Sequence, residues 1–469
     1  MPLLGSRGAA STTGFGALAN LGYFLRNSLR FRASNSAYLS RTPSSAGNRK
    51  TWTWSGWVKR GELSRYQVVW FAGNNATDTY GLAFEESTNS IHVGRFFGGW
   101  TWLLATSASY RDISAWYHIV VAVDTTQATT SNRVKLYVNG VQVTAFSTAN
   151  YPSQNFDTEI NSTSFQHNIG YQTINNSYAF DGYLAEVNFI DGQALTPSSF
   201  GRTDNATGQW VPKKFGGAYG TNGFYLPFTN TSSTSTLGND FSGNGNTWTV
   251  NNISLTSGST YDSMTDVPTL TNATTANYCT LNPLSTVGGT FSNGNLEYVG
   301  PNDWRSVNGT LAFPTSGQWY FEATILNAPY SPRAFNTSYN WIGVGLATNF
   351  NVQVGPGQNQ VNGWLYGDNG FIGNFTSSPT DSTVGLSSGD VIRIGVDTTN
   401  NTYTLYKNAG LVASSTFNVT AGTQLVPYHF SYSGAYGKMA VNFGQRPFAY
   451  PTTSGAFSGY KALNTYNLP

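Results

Sequence analysis

The feature that most constrains this chain is the rhythm of its apolar residues. They alternate one by one or gather in short blocks between turn residues, and nowhere hold a helical period over a long stretch. Trp52 and Trp54 alternate with Thr51 and Thr53; Leu29 and Phe31 alternate with Arg30 and Arg32, the pattern of a half-buried strand. Trp116–Asp124 is a continuous apolar run, and the strand Val134–Val138 leads into Asn139-Gly140, a hairpin signature. The polar residues between such blocks are mostly Asn, Ser, Thr and Gly, which form helices poorly and suit turns. Short strands separated by turn signals predict β-sandwiches.

Composition narrows the function. Charged residues make up 10% of the 469, and aromatic residues 15%, the reverse of a disordered chain. The net charge is +2, and the densest basic cluster is Arg26, Arg30 and Arg32, so neither nucleic acid nor an anionic membrane is expected as a partner. A single cysteine, Cys279, excludes disulfides within the chain. Met1 to Leu25 lacks an apolar core of signal-peptide length, and no run reaches transmembrane length. A soluble chain that does not use the secretory route is expected.

The strand signals divide the chain. Residues 1–22 are rich in Gly and Ala and cannot build a core; they read either as a frayed tail or as an arm that orders against a partner. Residues 23–212 carry the first strand set and 286–469 a second. Residues 213–285, dominated by Gly, Asn, Ser and Thr, read as a connector with short strands of its own. The two sets echo each other. Val121-Ala-Val-Asp-Thr-Thr is followed by Leu136-Tyr-Val-Asn-Gly, and Ile394-Gly-Val-Asp-Thr-Thr by Leu405-Tyr-Lys-Asn-Ala-Gly. In both, the Asp is placed to cap a turn by accepting N–H groups two residues on.

At these residues the chain resembles known families. Trp54-Ser-Gly-Trp-Val, Trp116–Asp124, Leu136-Tyr-Val-Asn-Gly and Phe180-Asp-Gly-Tyr-Leu-Ala-Glu-Val are similar to a concanavalin A-like domain of the laminin-G/pentraxin type. Gly317-Gln-Trp-Tyr-Phe-Glu, Ile342-Gly-Val-Gly, Gly389-Asp-Val-Ile, Leu405-Tyr-Lys-Asn and Val441-Asn-Phe-Gly-Gln-Arg-Pro-Phe resemble a SPRY domain, with Ala409 inserted where that family has Asn followed by Gly. The resemblance implies an all-β fold: two concanavalin A-like jelly-roll β-sandwiches joined by a β-rich connector, behind an extended N-terminal arm.

The whole arrangement, from Met1-Pro-Leu-Leu-Gly-Ser-Arg to Leu463-Asn-Thr-Tyr-Asn-Leu-Pro, resembles virion proteins of marine and cyanobacterial phages. This implies a protein made in the host cytoplasm that works on the virion surface. Its first reading is a tail fibre or receptor-binding subunit that contacts host-surface glycan or protein. A head-attached fibre or capsid decoration protein and a glycan-cleaving tailspike are the alternatives. Leu3, Leu4, Arg7 and Phe15 would attach the arm to other virion proteins, and a homotrimer is the oligomer such a fibre implies.

Catalysis has little to work with. None of the four histidines, His92, His118, His167 and His429, belongs to a metal-binding motif, and there is no nucleophile elbow or P-loop. The Glu85-Glu86 pair, read on a strand, faces opposite ways. No enzyme activity and no cofactor are expected. Calcium would need acidic ligands that match no family position; Asp78, Asp124 and Asp181 are the available oxygen donors, but isolated Asp residues in β-turns usually serve as caps. The ligand-binding candidates are aromatic residues beside turns: Trp100, Trp102 and Tyr110 near Phe96-Phe-Gly-Gly, and Trp364 and Tyr366 within Asn362-Gly-Trp-Leu-Tyr-Gly-Asp-Asn-Gly. Rings there either stack on sugar C–H faces or fill the sandwich cores.

Overall fold

The computed structural model describes residues 23–75, 78–173, 178–285, 288–300, 305–327, 341–347, 363–367, 371–374, 380–381, 386–417, 424–432 and 438–468. The fold is all-β: among these residues there is no α-helix, only short 3-10 turns. Two compact units emerge. The first comprises Tyr23–Thr256 and Thr260–Thr269; the second contains Leu270–Pro469.

The first unit is a sandwich of two antiparallel sheets. Sheet one runs, in spatial order, β10 (Val141–Gln142), β9 (Val134–Val138), β8 (Trp116–Asp124), β3 (Thr51–Arg60), β13 (Gly182–Asp191), β1 (Ser28–Phe31) and β18 (Ser263–Met264), with β16 (Phe224–Leu226) also paired to β13. Sheet two runs β11 (Phe146–Asn150), β7 (Trp100–Thr106), β6 (Ile91–Phe96), β5 (Asp78–Phe84), β4 (Gln67–Asn75), β12 (Gln166–Ile169), β2 (Tyr38–Arg41) and β17 (Thr249–Asn251). β14 (Gly201–Thr203) and β15 (Trp210–Pro212) form a separate hairpin.

Alternation explains the core. Trp52, Trp54, Val58, Ile119, Val121 and Val123 point inward from sheet one and meet Trp70, Tyr80, Leu82, Val93 and Trp102 from sheet two. β8 is buried on both sides from Trp116 to Val123 because its outer side is also covered: Val120 and Ala122 pack with Ile190, Phe200 and Phe215. His118 shares that outer side, stacked between Trp57 and Trp210. Trp210 Nε1 donates to its Nδ1 at 2.9 Å, so Nε2 carries the proton and donates to Ser55 Oγ at 2.9 Å. Burial lowers its pKa to about 3, a neutral structural imidazole.

Three expectations need correction. The connector is not separate. β16, β17 and β18 complete the first sandwich's own sheets, whereas residues 270–285 belong to the second unit, with Tyr278 bridged to Asn464 and Leu281 to Gly309. β1 is not half-buried, because Arg30 and Arg32 meet Asp262 from that same segment at 3.0 and 2.9 Å, and both arginines are buried. Nearby, Lys59 Nζ sits 2.7 Å from Asp266 Oδ2, with neither side chain exposed. Finally, Glu85 and Glu86 follow the end of β5 and lie in a turn. Burial alone would raise the Glu85 pKa, but hydrogen bonds from Thr88 and Ser87 outweigh it and bring it to about 2.

The second unit is again two sheets. One runs β19 (Thr290–Ser292), β20 (Glu297–Val299), β31 (Lys438–Asn442), β22 (Gln318–Asn327), β27 (Val391–Asp397), β28 (Thr402–Lys407) and β29 (Gly410–Thr416), with β32 (Lys461–Ala462) parallel to β22. The other runs β21 (Arg305–Asn308), β30 (Val426–Tyr432), β23 (Trp341–Ala347), β24 (Gly363–Gly367), β25 (Phe371–Asn374) and β26 (Thr380–Asp381). Trp319, Phe321, Ile392, Ile394, Val396 and Val441 are among its buried residues.

The sequence echo is a structural one. Asp124 closes β8 and accepts the Thr126 N–H at 3.1 Å; Asp397 closes β27 and accepts the Thr399 N–H at 2.9 Å. Asn139 and Gly140 both take positive φ, 49° and 82°, as a type I′ hairpin demands. In the β28–β29 hairpin Asn408 also has positive φ, and the extra Ala409 accompanies a register shift between Leu405 and Tyr406.

Candidate functional site

Sheet two has an outer face with small residues, Gly94, Gly81, Ala105 and Ala83, on its central strands. A transverse row reads Leu103, Gly94, Gly81, Phe71, Asn168, Ser40 and Thr249 across successive strands. The neighbouring row reads Ala105, His92, Ala83 and Val68. Glycine at 94 has a steric cause: an added Cβ there would lie 2.9 Å from the Trp100 ring and 2.7 Å from the Trp102 carbonyl oxygen.

Aromatic rings lie along this face as a belt. Phe96 meets Trp100 edge-on at 5.7 Å, Trp100 meets His92 at 6.0 Å, His92 meets Tyr66 at 5.9 Å, and Tyr66 meets Tyr178 at 5.2 Å. Edge-to-face packing at these separations fixes ring orientation. The belt is wet on its outer side, with Trp100 44% exposed and Tyr178 36%. Phe97, at the tip of the β6–β7 hairpin, is 55% exposed, and Gly98 there has φ of 62°. Behind the tip the Arg95 guanidinium lies 4.9 Å from the Phe97 ring centre and bonds to Glu159 at 2.5 Å. Burial lowers the His92 pKa below the ordinary imidazole value, against the opposing pull of Glu85 and Glu86, so the belt is uncharged at neutral pH.

The sequence candidates separate here. Trp100 belongs to the belt. Trp102 does not: it is 2% exposed and packs on Tyr80 at 5.4 Å inside the core. Two residues apart on a regular strand, the two rings would share a face. The register shift prevents it, because Arg95 pairs with Trp102 and the next residue, Phe96, pairs with Trp100. Thr101 is the extra residue of a bulge, which sends the two tryptophans to opposite faces. Tyr110 packs partly buried against the core, edge-on to Tyr117 at 5.6 Å, and is not in the belt. Trp364 and Tyr366 sit on β24, opposite Leu346 and Val344 of β23, and their side chains lie outside the described residues. Leu3, Leu4, Arg7 and Phe15 also fall outside them.

His92, Phe96, Tyr66 and Tyr178 were not foreseen. Phe96 adjoins the Gly-Gly turn that drew attention to Trp100, but the others come from strands and loops far apart in sequence. Of the oxygen donors, Asp124 caps its turn and Asp181 Oδ2 accepts the Ala33 N–H at 3.3 Å; the Asp78 side chain is outside the described residues. Among the described residues no three His, Cys, Asp or Glu side chains gather as metal ligands would.

Residues 33–199 match the concanavalin A-like lectin/glucanases superfamily. No curated protein matches the chain. Among solved structures, the chain is similar to the SPRY domain of human HERC1, with 19% identity, a TM-score of 0.28, and cover of 36% of this chain and 99% of that one. The SAP-like pentraxin of Limulus polyphemus gives 14% identity, a TM-score of 0.28, and cover of 37% and 80%. Domain 4 of the arabinanase AbnA from Geobacillus stearothermophilus gives 22% identity, a TM-score of 0.26, and cover of 33% and 66%.

Proposed function

We propose that this protein is a non-catalytic binding subunit of a bacteriophage particle and that the aromatic belt of its first sandwich contacts glycan on a host surface. The observation that carries the reading is Trp100, an exposed ring packed edge-to-face with Phe96 and His92 and lying over Gly94. A flat, pre-oriented ring of this kind stacks on the apolar C–H face of a pyranose with little ordering cost. An uncharged belt suits a neutral sugar. The lectin and glucanase description of the matching superfamily supports a carbohydrate ligand. Likeness of both chain ends to phage virion proteins supports the particle, with residues 1–22 as the attachment segment. Repeated copies on a particle would convert a weak single site into firm adhesion.

The test is binding of the purified protein to host surface polysaccharide by calorimetry, with Trp100→Ala beside the parent chain. The parent binds and the variant loses about tenfold or more in affinity, the size expected of a tryptophan hot spot. Equal affinity of the two would sink the belt as the contact surface. New reducing ends appearing in the mixture would sink the non-catalytic part. Immunogold labelling of intact particles decides between tail and head.

A further inference from the structure

Sheet one carries a separate cluster. β13 bulges between Ala185 and Asn188, and Glu186 within the bulge has φ of 53°, left-handed backbone for a residue with a side chain. The residue is 3% exposed. The Tyr23 hydroxyl lies 2.5 Å from Oε1, the Tyr225 hydroxyl lies 2.8 Å from Oε2, and the two hydroxyl oxygens are 2.8 Å apart. The three contacts close a ring.

A hydrogen bond needs one proton, so three contacts need three. The two phenols bring two. An ionised Glu186 brings none and leaves one pair of oxygens in contact with no proton between them. A protonated Glu186 completes the ring: its O–H donates to Tyr225, Tyr225 donates to Tyr23, and Tyr23 donates back to the other carboxyl oxygen.

We propose that Glu186, Tyr23 and Tyr225 form a proton-locked latch that fastens the lead-in segment Tyr23–Asn27 to the first sandwich and opens when the carboxyl ionises. Burial supports this, pushing Glu186 up to about 7 against the downward pull of both tyrosines and Lys214. From an ordinary value of 4.5, that is a gain of roughly 300-fold in proton affinity. Burial and the Glu186 charge raise both phenols as well, so neither gives up its proton first.

The surrounding groups are few. β3 passes the bulge with Ser55, Gly56 and Trp57, none of them charged. Asn188 of β13 takes the Tyr219 hydroxyl at 3.0 Å, and Asp240 takes the Tyr225 N–H at 2.9 Å. Arg26 lines the same pocket of about 230 Å³ as Tyr23, Glu186, Tyr225 and Phe241, and that pocket gives water a route to the proton. Because the folded protein keeps the proton to a higher pH than the unfolded chain, the latch is fully made below about pH 4.5 and is lost as pH rises through about 7.

Hydrogen–deuterium exchange of the full chain from pH 5.5 to 8.5, corrected for intrinsic rates, tests the latch on peptides covering residues 23–31. Protection falls about tenfold or more across neutrality in the parent protein. Glu186→Gln keeps it at every pH, because an amide supplies both the donor and the acceptor. Tyr23→Phe loses protection even at pH 6. The same pH profile in parent and Glu186→Gln overturns the proposal. If Glu186→Gln does not fold, Tyr23→Phe decides alone, and unchanged protection at pH 6 overturns it.

Discussion

Replacing Asp266 with alanine tests whether residues 260–269 are part of the first sandwich. Asp266 Oδ2 takes Lys59 Nζ at 2.7 Å, Oδ1 takes Trp116 Nε1 at 3.0 Å, and the peptide oxygen takes Ser28 Oγ at 2.5 Å. Truncation leaves a wholly buried ammonium without this carboxylate. Breaking a buried ion pair by removing one partner costs about 3–5 kcal/mol, and the lost indole hydrogen bond adds ~1 kcal/mol, so the expected destabilisation is about 4 kcal/mol. Urea unfolding followed by tryptophan fluorescence measures it as a drop in the midpoint of the first sandwich. A loss below about 1 kcal/mol would refute the reasoning. The double change Lys59→Met with Asp266→Leu should recover most of the loss, since matched apolar residues commonly replace a buried pair at little cost.

Other outcomes follow from single contacts. Trp102→Ala should cost about 3–5 kcal/mol by thermal unfolding, whereas Trp100→Ala should stay within about 1 kcal/mol, because only Trp102 fills the core. Gly140→Ala should cost about 1 kcal/mol for the left-handed backbone and more for collision with the Trp210 ring, 2.5 Å from the added carbon. Buried His118, His167 and His429, lowered to about 3, 4 and 3, should show imidazole resonances that do not move from pH 8 to 5. Being neutral when folded and protonated when unfolded, each removes ~1.4 kcal/mol of stability per pH unit below about 6.5, so replacing any one by an apolar residue should flatten the acid limb of a stability–pH curve.

Strands long enough to show their period were legible in the sequence: β3, β8, β9, β22, β27 and β28 stand where the alternation and apolar runs put them. The Asp caps and the Asn139-Gly140 hairpin were legible because turn chemistry is local. What escaped was non-local. β16, β17 and β18 have two or three residues each, too short for any period, and pair with strands remote in sequence. Asp262 and Asp266 look like turn caps in a stretch rich in Ser and Thr, yet they are the counter-charges of Arg30, Arg32 and Lys59. At the belt, the Gly-Gly turn pointed to the right hairpin, but i and i+2 spacing assigns both tryptophans to one face. Only the bulge at Thr101, a property of strand pairing, separates them.

The closure of β1 by β18 has a consequence for biosynthesis. Strand Ser28–Phe31 leaves the ribosome early, but its partners Gly182–Asp191 and Ser263–Met264 follow much later. Until then the arginines of the early strand lack Asp262 and the sheet has a raw edge. Nascent chains of this protein must therefore remain soluble while unfinished, and a stall in translation before Asp262 would release an open sheet prone to stick to its neighbours.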